Sequence, residues 1–290
     1  MTDQSNPISI VAIVLIVLTM NSRLTTSQEV ENESEFEYVM GSSKGPDKWG
    51  KLHKEWDACY NGEMQSPIDL LNKRVEVVHK YGKIKRNYTA SNATLKNRGH
   101  DIMLQWKGDA GALKINGTAY KLQQCHWHSP SEHTINGKRF DLELHLVHQA
   151  SDHSATNKIA VVGVMYNIGR PDPFLAEVLG FQFQLEKYMW SIADSHEEVK
   201  VGVVDPRHIK MGGKWYYRYM GSLTVPPCTE GIDVISAFLH FQNSQVRSIT
   251  KEQVQLLRTA VHDYAEANAR PLQPENDREV HLIGPTTSLA

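Results

Sequence analysis

The sequence has 290 residues, of which 40% are hydrophobic and 22% are charged, and its formal net charge is −2 at pH 7. These values are ordinary for a soluble globular protein with a sizeable core. Because the charge is close to neutral and no basic block is present, the chain is a poor candidate for binding nucleic acid or an anionic membrane surface.

The amino terminus carries one apolar run, from Ile8 to Met20. Such a run is too short to span a bilayer, which takes about 20 residues, and is typical of the apolar region of a signal peptide. We predict a signal peptide over residues 1–27, with its cleavage region in the polar stretch Ser22–Ser27. The residues before the run include Asp3 and no Lys or Arg. An uncleaved membrane anchor is therefore the alternative.

Four N-x-S/T sequons also favour the secretory route. They begin at Asn32, Asn87, Asn92 and Asn116. The chain has three cysteines, Cys59, Cys125 and Cys228. In an oxidising compartment two of them could pair and leave one over, and the sequence by itself allows three pairings.

The domain organisation is simple. Residues 28–45 are acidic and loop-like, and we interpret them as an amino-terminal arm. No linker, repeat or low-complexity tract occurs between Trp49 and about Leu282. We therefore predict a single domain over residues 46–285.

Short runs of alternating polar and apolar residues recur between residues 94 and 166, which is typical of β-strands. Two Asn-Gly pairs, Asn116-Gly117 and Asn136-Gly137, are strong β-hairpin signals. The runs therefore predict a mainly antiparallel sheet.

Two helices are predicted towards the carboxyl-terminal half. Thr250 and Gln253 form a capping-box pattern, and apolar residues then recur at helical spacing. The other helix begins after Pro173, and its end is unclear because Gly180–Gln184 interrupts the pattern.

The spacing of three histidines predicts a metal site. Residues two apart in a strand share a face, so His126 and His128 project together. In the next strand, His145 shares a face with Glu143 and Val147, while the leucines between them face the other way. Three imidazoles that converge, with a fourth position open, form the ligand set of a catalytic zinc ion.

An H-x-H pair is weak evidence on its own, since two histidines on a polar sheet face would give the same pattern. The neighbouring acceptors Gln124, Glu132 and Glu143 favour the metal, because zinc-bound histidines usually donate their second N–H to such groups. His148 faces away from His145, so we interpret it as structural.

The surrounding motifs resemble those of the α-class carbonic anhydrases, in particular the plant branch. The resemblance covers about Phe36 to Leu282. It is carried by Q-C-H-W-H-S-P-S-E-H (124–133), E-L-H-L-V-H (143–148), Q-S-P-I (65–68), N-R-G-H (97–100), G-S-L-T (221–224), P-P-C (226–228) and N-A-R-P (268–271). It implies an α+β, mainly β fold: a single domain built on a large twisted, mostly antiparallel central sheet with a few peripheral helices.

The resemblance also implies a function and a set of roles. The enzyme would hydrate carbon dioxide reversibly to bicarbonate and a proton by means of zinc-bound hydroxide. Zinc would be the cofactor, and sulfonamides and anions would inhibit. The implied roles are zinc ligation by His126, His128 and His145, orientation of these ligands by Gln124 and Glu143, and catalysis by Thr224, Glu132 and His100.

In this scheme Thr224 accepts a hydrogen bond from the hydroxide and donates its own proton to Glu132. His100 resembles the proton shuttle, which needs a solvent-reachable ring, and Tyr38 resembles the tyrosine that orders the water chain. The residues implied to line the substrate pocket are Val147, Val161, Leu223, Thr224, Val225 and Ile232. Cys59 and Cys228 match the disulfide of secreted members.

The chain departs from the family pattern at several positions. Val225 stands where many members have threonine, which predicts altered anion affinity rather than loss of activity. Residues 231–247 lack the usual tryptophan, place Val234 there and are several residues longer. Cys125, next to a zinc ligand, is expected to be a buried apolar residue whose side chain points away from the metal.

Two alternatives follow from these features. One is a non-catalytic storage or binding protein that has kept the fold, although all three zinc-binding histidines are present. The other is a zinc hydrolase that acts on esters, since the same nucleophile is competent for that reaction. For the carbonic anhydrase we expect entry into the secretory pathway and a final place outside the cell or in the plastid stroma.

Overall fold

The computed structural model describes residues 29–30, 32–79, 84–152, 154–180, 198–211, 215–237, 246–261 and 265–284. The predicted signal peptide lies outside these ranges. Among the described residues, no helix is both long enough and apolar enough to cross a bilayer.

The described ranges contain sixteen strands. They are β1 Asp69–Leu70, β2 Glu76–Val78, β3 Lys85–Arg86, β4 Ser91–Asn97, β5 Ile102–Trp106, β6 Ala112–Ile115, β7 Thr118–His128, β8 Thr134–Ile135, β9 Lys138–Arg139, β10 Leu142–Ala150, β11 Ile159–Ile168, β12 Glu198–Val204, β13 Tyr216–Ser222, β14 Glu230–Ala237, β15 Arg247–Ile249 and β16 Val280–Ile283.

Thirteen of these strands form one sheet, whose main path runs β12-β4-β5-β7-β10-β11-β14-β13-β16-β2. Most neighbours are antiparallel, whereas β11 runs parallel to β14 and β15, and β16 runs parallel to β2. A separate small sheet contains β1, β8 and β9. The predicted fold class is confirmed.

Both Asn-Gly pairs form the predicted turns. Asn116-Gly117 joins β6 to β7, and Asn136-Gly137 joins β8 to β9. All four residues have positive φ, between 49° and 92°. This backbone conformation is accessible to Asn and Gly and costly for most other residues, which explains why these pairs close the hairpins.

The four α-helices of the described ranges are short and peripheral. They are α1 Trp49–Leu52, α2 Ala58–Asn61, α3 Pro173–Gly180 and α4 Lys251–Val261. The capping box is present at the start of α4: the Gln253 amide donates to Thr250 Oγ1 at 3.2 Å, and the Thr250 amide donates to Gln253 Oε1 at 3.3 Å. Helix α3 begins at the predicted Pro173, and residues 181–184, which were predicted to interrupt it, lie outside the described residues.

Apolar side chains pack on both faces of the sheet. Leu142, Leu144 and Leu146 enter the larger cluster, which also holds Cys125. Val147 enters a second cluster on the opposite face. The alternation of β10 therefore separates a structural face from the face that carries His145.

The unusual segment after Cys228 keeps its place in the sheet. Strand β14 pairs with β11 on one side and with β13 on the other, and both Ile232 and Val234 are buried. Both residues pack in the same apolar cluster as Val147. Residues 238–245 of the segment lie outside the described residues.

Candidate metal centre

Strand pairing brings the three predicted ligands together. In the antiparallel pair of β7 and β10, His126 lies opposite His145, and His128 lies opposite Glu143. Side chains of directly opposed residues project from the same face of a sheet. The register therefore places two histidines of one strand beside one histidine of the next.

The three imidazole rings converge. Their centroids are 5.0 Å apart for His126 and His128, 5.3 Å for His126 and His145, and 4.6 Å for His128 and His145. One nitrogen from each ring lies within 4.8 Å of the others, and all three residues are buried. This spacing allows one ion to contact all three rings.

The second nitrogen of each ring has its own acceptor. His126 Nδ1 lies 2.9 Å from Gln124 Oε1, and His128 Nδ1 lies 2.8 Å from the carbonyl oxygen of Asn268. His145 Nε2 lies 2.9 Å from Glu143 Oε1, which leaves its Nδ1 for a metal. Such contacts fix the tautomer and the orientation of each ring.

The remaining nitrogens fit a metal ion. His126 Nε2 and His128 Nε2 are buried and have no hydrogen-bond partner among the described residues. A buried polar atom without a partner is costly, and both atoms face the centre of the cluster. Burial, together with the positive charge of Arg98, holds the pKa of His126 well below its usual range, so this ring is in the neutral form that a metal requires.

Glu143 connects the ligands to the rest of the site. Its Oε2 accepts hydrogen bonds from the backbone amides of Glu132 and His133, both at 2.9 Å, and its Oε1 accepts from His133 Nδ1 at 2.8 Å. Burial by itself would raise the pKa of this carboxyl, but the nearby His133 and His145 hold it well below its usual range. The carboxylate is therefore a fixed acceptor for His145.

Glu132 is oriented towards the histidines. Its Oε1 accepts a hydrogen bond from the backbone amide of Arg270 at 2.9 Å. Its Oε2 is buried without a hydrogen-bond partner among the described residues and lies 3.6 Å from His128 Nε2. Thr224, its predicted partner, lines the pocket beside His145.

The residues predicted to form the apolar wall pack in two different clusters. Val161 and Leu223 line the pocket, and Val147 and Ile232 pack in the same apolar cluster. Val225 packs in another cluster with Phe36, Trp49, Trp56, Cys59 and Cys228. Val234, at the position of the missing tryptophan, also lines the pocket.

His100 and Tyr38 contact each other, with ring centroids 5.3 Å apart. The expectation that the His100 ring reaches solvent is wrong in this conformation. The residue is 8% exposed, and its Nε2 lies 2.6 Å from the carbonyl oxygen of Phe36. The physical reason is the docked arm, because Phe36 belongs to it and its ring also packs against that of His100, with centroids 5.3 Å apart. Burial, together with Glu33 and Glu132, raises the pKa of Tyr38 well above its usual range, so this residue remains a phenol.

The pairing implied by the family resemblance is confirmed: Cys59 and Cys228 form a disulfide, with Cα atoms 5.0 Å apart. The Cys228 amide donates to the carbonyl oxygen of Val225 at 2.9 Å, which makes a tight turn of the loop that follows Thr224. Cys125 is a buried free thiol in the apolar cluster away from the metal face, as expected.

Sequence reasoning missed two contributors to the site. The carbonyl of Asn268 holds His128, and its side chain accepts from the Ser129 amide at 2.8 Å. The N-A-R-P motif that contains this residue was an available signal. Glu29, from the acidic arm, lines the pocket, and its Oε1 lies 3.9 Å from His126 Nε2.

A buried cluster of three histidines on a sheet, beside a pocket with apolar walls, is the arrangement of a metal-dependent enzyme. The family model for eukaryotic-type carbonic anhydrase matches residues 44–283. The chain belongs to this family, and the predicted enzyme class, carbonic anhydrase, is confirmed.

Relatives and solved structures agree. Alpha carbonic anhydrase 7 of Arabidopsis thaliana is 50% identical over 275 residues, which cover 94% of this chain and 93% of the relative. The crystal structure of dioscorin complexed with ascorbate matches with a TM-score of 0.76 and 43% identity, covering 87% of this chain and 99% of dioscorin. The α-carbonic anhydrase of Thermovibrio ammonificans, in complex with the inhibitor sulfanilamide, matches with a TM-score of 0.67 and 32% identity, covering 85% of this chain and 98% of that one.

Proposed function

We propose that this chain catalyses the reversible hydration of carbon dioxide with a zinc ion held by His126, His128 and His145. The proposal is carried by the buried Nε2 atoms of His126 and His128, which have no hydrogen-bond partner within the described part of the chain. The second nitrogen of each of the three rings has an acceptor, which holds the ring in place. When bound, zinc supplies Lewis-acid activation of water near neutral pH.

The residues of the chain orient the ligands and the reactants. Gln124, Glu143 and the Asn268 carbonyl fix the orientation of each imidazole, so that its other nitrogen is directed inwards. We propose that Glu132, whose Oε1 accepts from the Arg270 amide, accepts a hydrogen bond from the Thr224 hydroxyl, which in turn accepts one from the attacking water.

The pocket walls and the proton path complete the proposal. Val161 and Leu223 offer an apolar surface on which carbon dioxide, an uncharged and apolar molecule, can rest without displacing a hydrogen-bonded partner. His100 and Tyr38 are the groups that we propose for export of the proton. Since His100 is covered by Phe36, this export requires the ring or the arm to move.

The experiment is stopped-flow hydration of carbon dioxide by the purified zinc-loaded protein, beside His126→Ala and the control His148→Gln. His148 is buried three residues from a ligand but contacts Tyr88 and the Ala160 carbonyl instead of the cluster. We expect the His126 variant to lose both zinc and activity, and the His148 variant to keep both. Equal rates for all three proteins would refute the proposed site.

A non-catalytic binding protein is the alternative function, and the similarity to dioscorin, whose structure holds ascorbate, is the observation that favours it. The same experiment separates the two functions. A folded protein that binds zinc without hydrating carbon dioxide would support the alternative.

We also propose that the protein enters the secretory pathway and acts outside the cell or in the plastid stroma. The disulfide supports an oxidising compartment. All four sequon asparagines, Asn32, Asn87, Asn92 and Asn116, are exposed and so are accessible to a glycan. Treatment of a carboxyl-terminally tagged protein with a glycosidase should lower its mass, whereas a glycan-free cytosolic product would contradict the proposal.

A further inference from the structure

The amino-terminal arm reaches into the metal centre through one side chain. The Glu29 side chain is 9% exposed and lines the same pocket as His145, Leu223 and Thr224. Its Oε1 lies 3.9 Å from His126 Nε2, one of the two ligand atoms without a hydrogen-bond partner among the described residues. A carboxylate therefore lies in this pocket beside the ligand nitrogen of His126.

Two donors fix this carboxylate through its other oxygen. Arg98 Nη1 donates to Glu29 Oε2 at 2.5 Å, and Gln124 Nε2 donates to the same atom at 3.1 Å. Gln124 also holds His126, so Glu29 is joined to the ligand set through a residue that orients it. Oε1 is the carboxylate oxygen that lies near His126 Nε2.

The backbone around Glu29 is seated on the loop that follows Thr224. The Val30 amide donates to the carbonyl oxygen of Pro226 at 3.2 Å, and the Val30 side chain packs against the cluster that contains the disulfide. Three residues on, the Glu33 amide donates to the Arg98 carbonyl oxygen at 2.6 Å. These contacts hold the arm in a position that brings the Glu29 side chain beside the three-histidine cluster.

The ion pair between Glu29 and Arg98 can break because Arg98 has other acidic partners. Arg98 is buried, but it also pairs with Asp101 through two nitrogens and lies 3.4 Å from Glu33. If Glu29 left, Arg98 would keep an acidic partner, so release would not strand a buried charge. The Glu29 side chain can therefore withdraw from the pocket without leaving Arg98 unpaired.

We propose that Glu29 is an internal anion that competes with external anions and sulfonamides for the open position of the metal centre. Carboxylate oxygen is an ordinary zinc ligand, and three histidines plus a carboxylate would close a four-ligand set that catalysis needs open. The arm is thus self-inhibitory, and the pocket is accessible in the fraction of molecules in which Glu29 has withdrawn. This inference rests on the proposed zinc site.

The test is a pair of binding measurements on zinc-loaded wild type, Glu29→Gln and the control Glu35→Gln. Glu35 belongs to the same arm, but its carboxylate is 50% exposed and pairs with His53 at the surface. Calorimetry with an aromatic sulfonamide and competition with a zinc chelator give the two affinities.

The two affinities should change in opposite directions in Glu29→Gln. We expect the sulfonamide to bind about tenfold tighter. In the variant no carboxylate blocks the open position, so every molecule can bind the sulfonamide. Zinc should bind more weakly, because a ligand is lost. The Co²⁺-substituted wild type should show a visible spectrum that responds less to added thiocyanate than that of Glu29→Gln, and the Glu35→Gln values should stay within twofold of wild type.

Other outcomes overturn the inference and show at which level it fails. Equal sulfonamide and zinc affinities in wild type and Glu29→Gln would sink it while leaving the zinc site intact. If Glu29→Gln binds both the sulfonamide and zinc more weakly than the wild type, Glu29 has a purely structural role. Absence of zinc binding in all three proteins would reject the proposed function itself and this inference with it.

Discussion

Gly163 lies directly opposite His145 in the pairing of β11 with β10, and a β-carbon at this glycine would come within 2.7 Å of Glu143 Oε1. Non-bonded atoms do not approach so closely, so any side chain here must displace the carboxylate that holds His145. The geometry of the metal centre therefore requires a residue without a side chain at this point of β11.

Gly163→Ala is expected to weaken zinc binding about 10- to 100-fold, the usual effect of disturbing a residue that orients a ligand. Chelator competition measures it. The control is Val162→Ala, which removes apolar contacts from the opposite face of the same strand. It should lower the free energy of unfolding and leave the zinc affinity unchanged. Equal losses of zinc affinity in both variants would show that Gly163 acts through strand stability instead.

Thr224→Ala tests the proposed hydroxyl pair. Loss of an oriented hydrogen bond to the reacting water should lower kcat/KM roughly 10²-fold. Zinc content should be unchanged, because Thr224 lines the pocket and is not one of the three histidines. Wild-type kinetics in a zinc-loaded Thr224→Ala protein would remove this residue from the mechanism.

His148 makes the folded protein sensitive to mild acid. Burial lowers its pKa from 6.5 to about 4. Between these values the unfolded chain binds a proton that the folded chain does not, so stability is present above pH 6.5 and is lost as the pH falls towards 4. From pH 7.5 to pH 5 this one group should reduce the free energy of unfolding by about 2 kcal/mol.

Urea unfolding at these two pH values checks the size of the effect. In His148→Gln the pH-dependent loss should shrink by about that amount, even if the variant is less stable at pH 7.5. An identical pH dependence in both proteins would show that His148 already titrates near its usual pKa in the folded state.

The disulfide should contribute about 2–5 kcal/mol to stability, since it joins residues 169 positions apart and restricts the unfolded chain. Dithiothreitol should therefore lower the Tm of the wild type and of Cys125→Ala, whose thiol is free. The double variant Cys59→Ala/Cys228→Ala should show the lower Tm with or without reductant. If dithiothreitol still lowers the Tm of the double variant, its effect does not arise from this disulfide.

The part of the site that local pattern determines could be predicted from sequence. His126 and His128 share a face because strands alternate, and the same rule places His145 with Glu143 and Val147. The Asn-Gly turns and the capping box likewise follow from residues next to each other in the chain. The pairing of Cys59 with Cys228 was predicted from the resemblance to the family and not from local pattern.

The part that depends on distant segments could not be predicted in this way. Glu29 and the Asn268 carbonyl reach the histidines from positions about 100 and 140 residues away, and their placement depends on tertiary packing. The same docking of the arm covers His100 with Phe36, and a loop contact moves Val225 into the cluster around the disulfide. Side-chain exposure in such loops is a property of the assembled molecule and not of the local sequence.

The most direct test of the central claim is the initial rate of carbon dioxide hydration during titration of the metal-free protein with zinc. We expect the rate to rise linearly and to saturate at one zinc per chain, because one cluster of three histidines accepts one ion. A protein that takes up one zinc per chain while its rate stays at the level of the buffer would contradict the assignment as an active carbonic anhydrase.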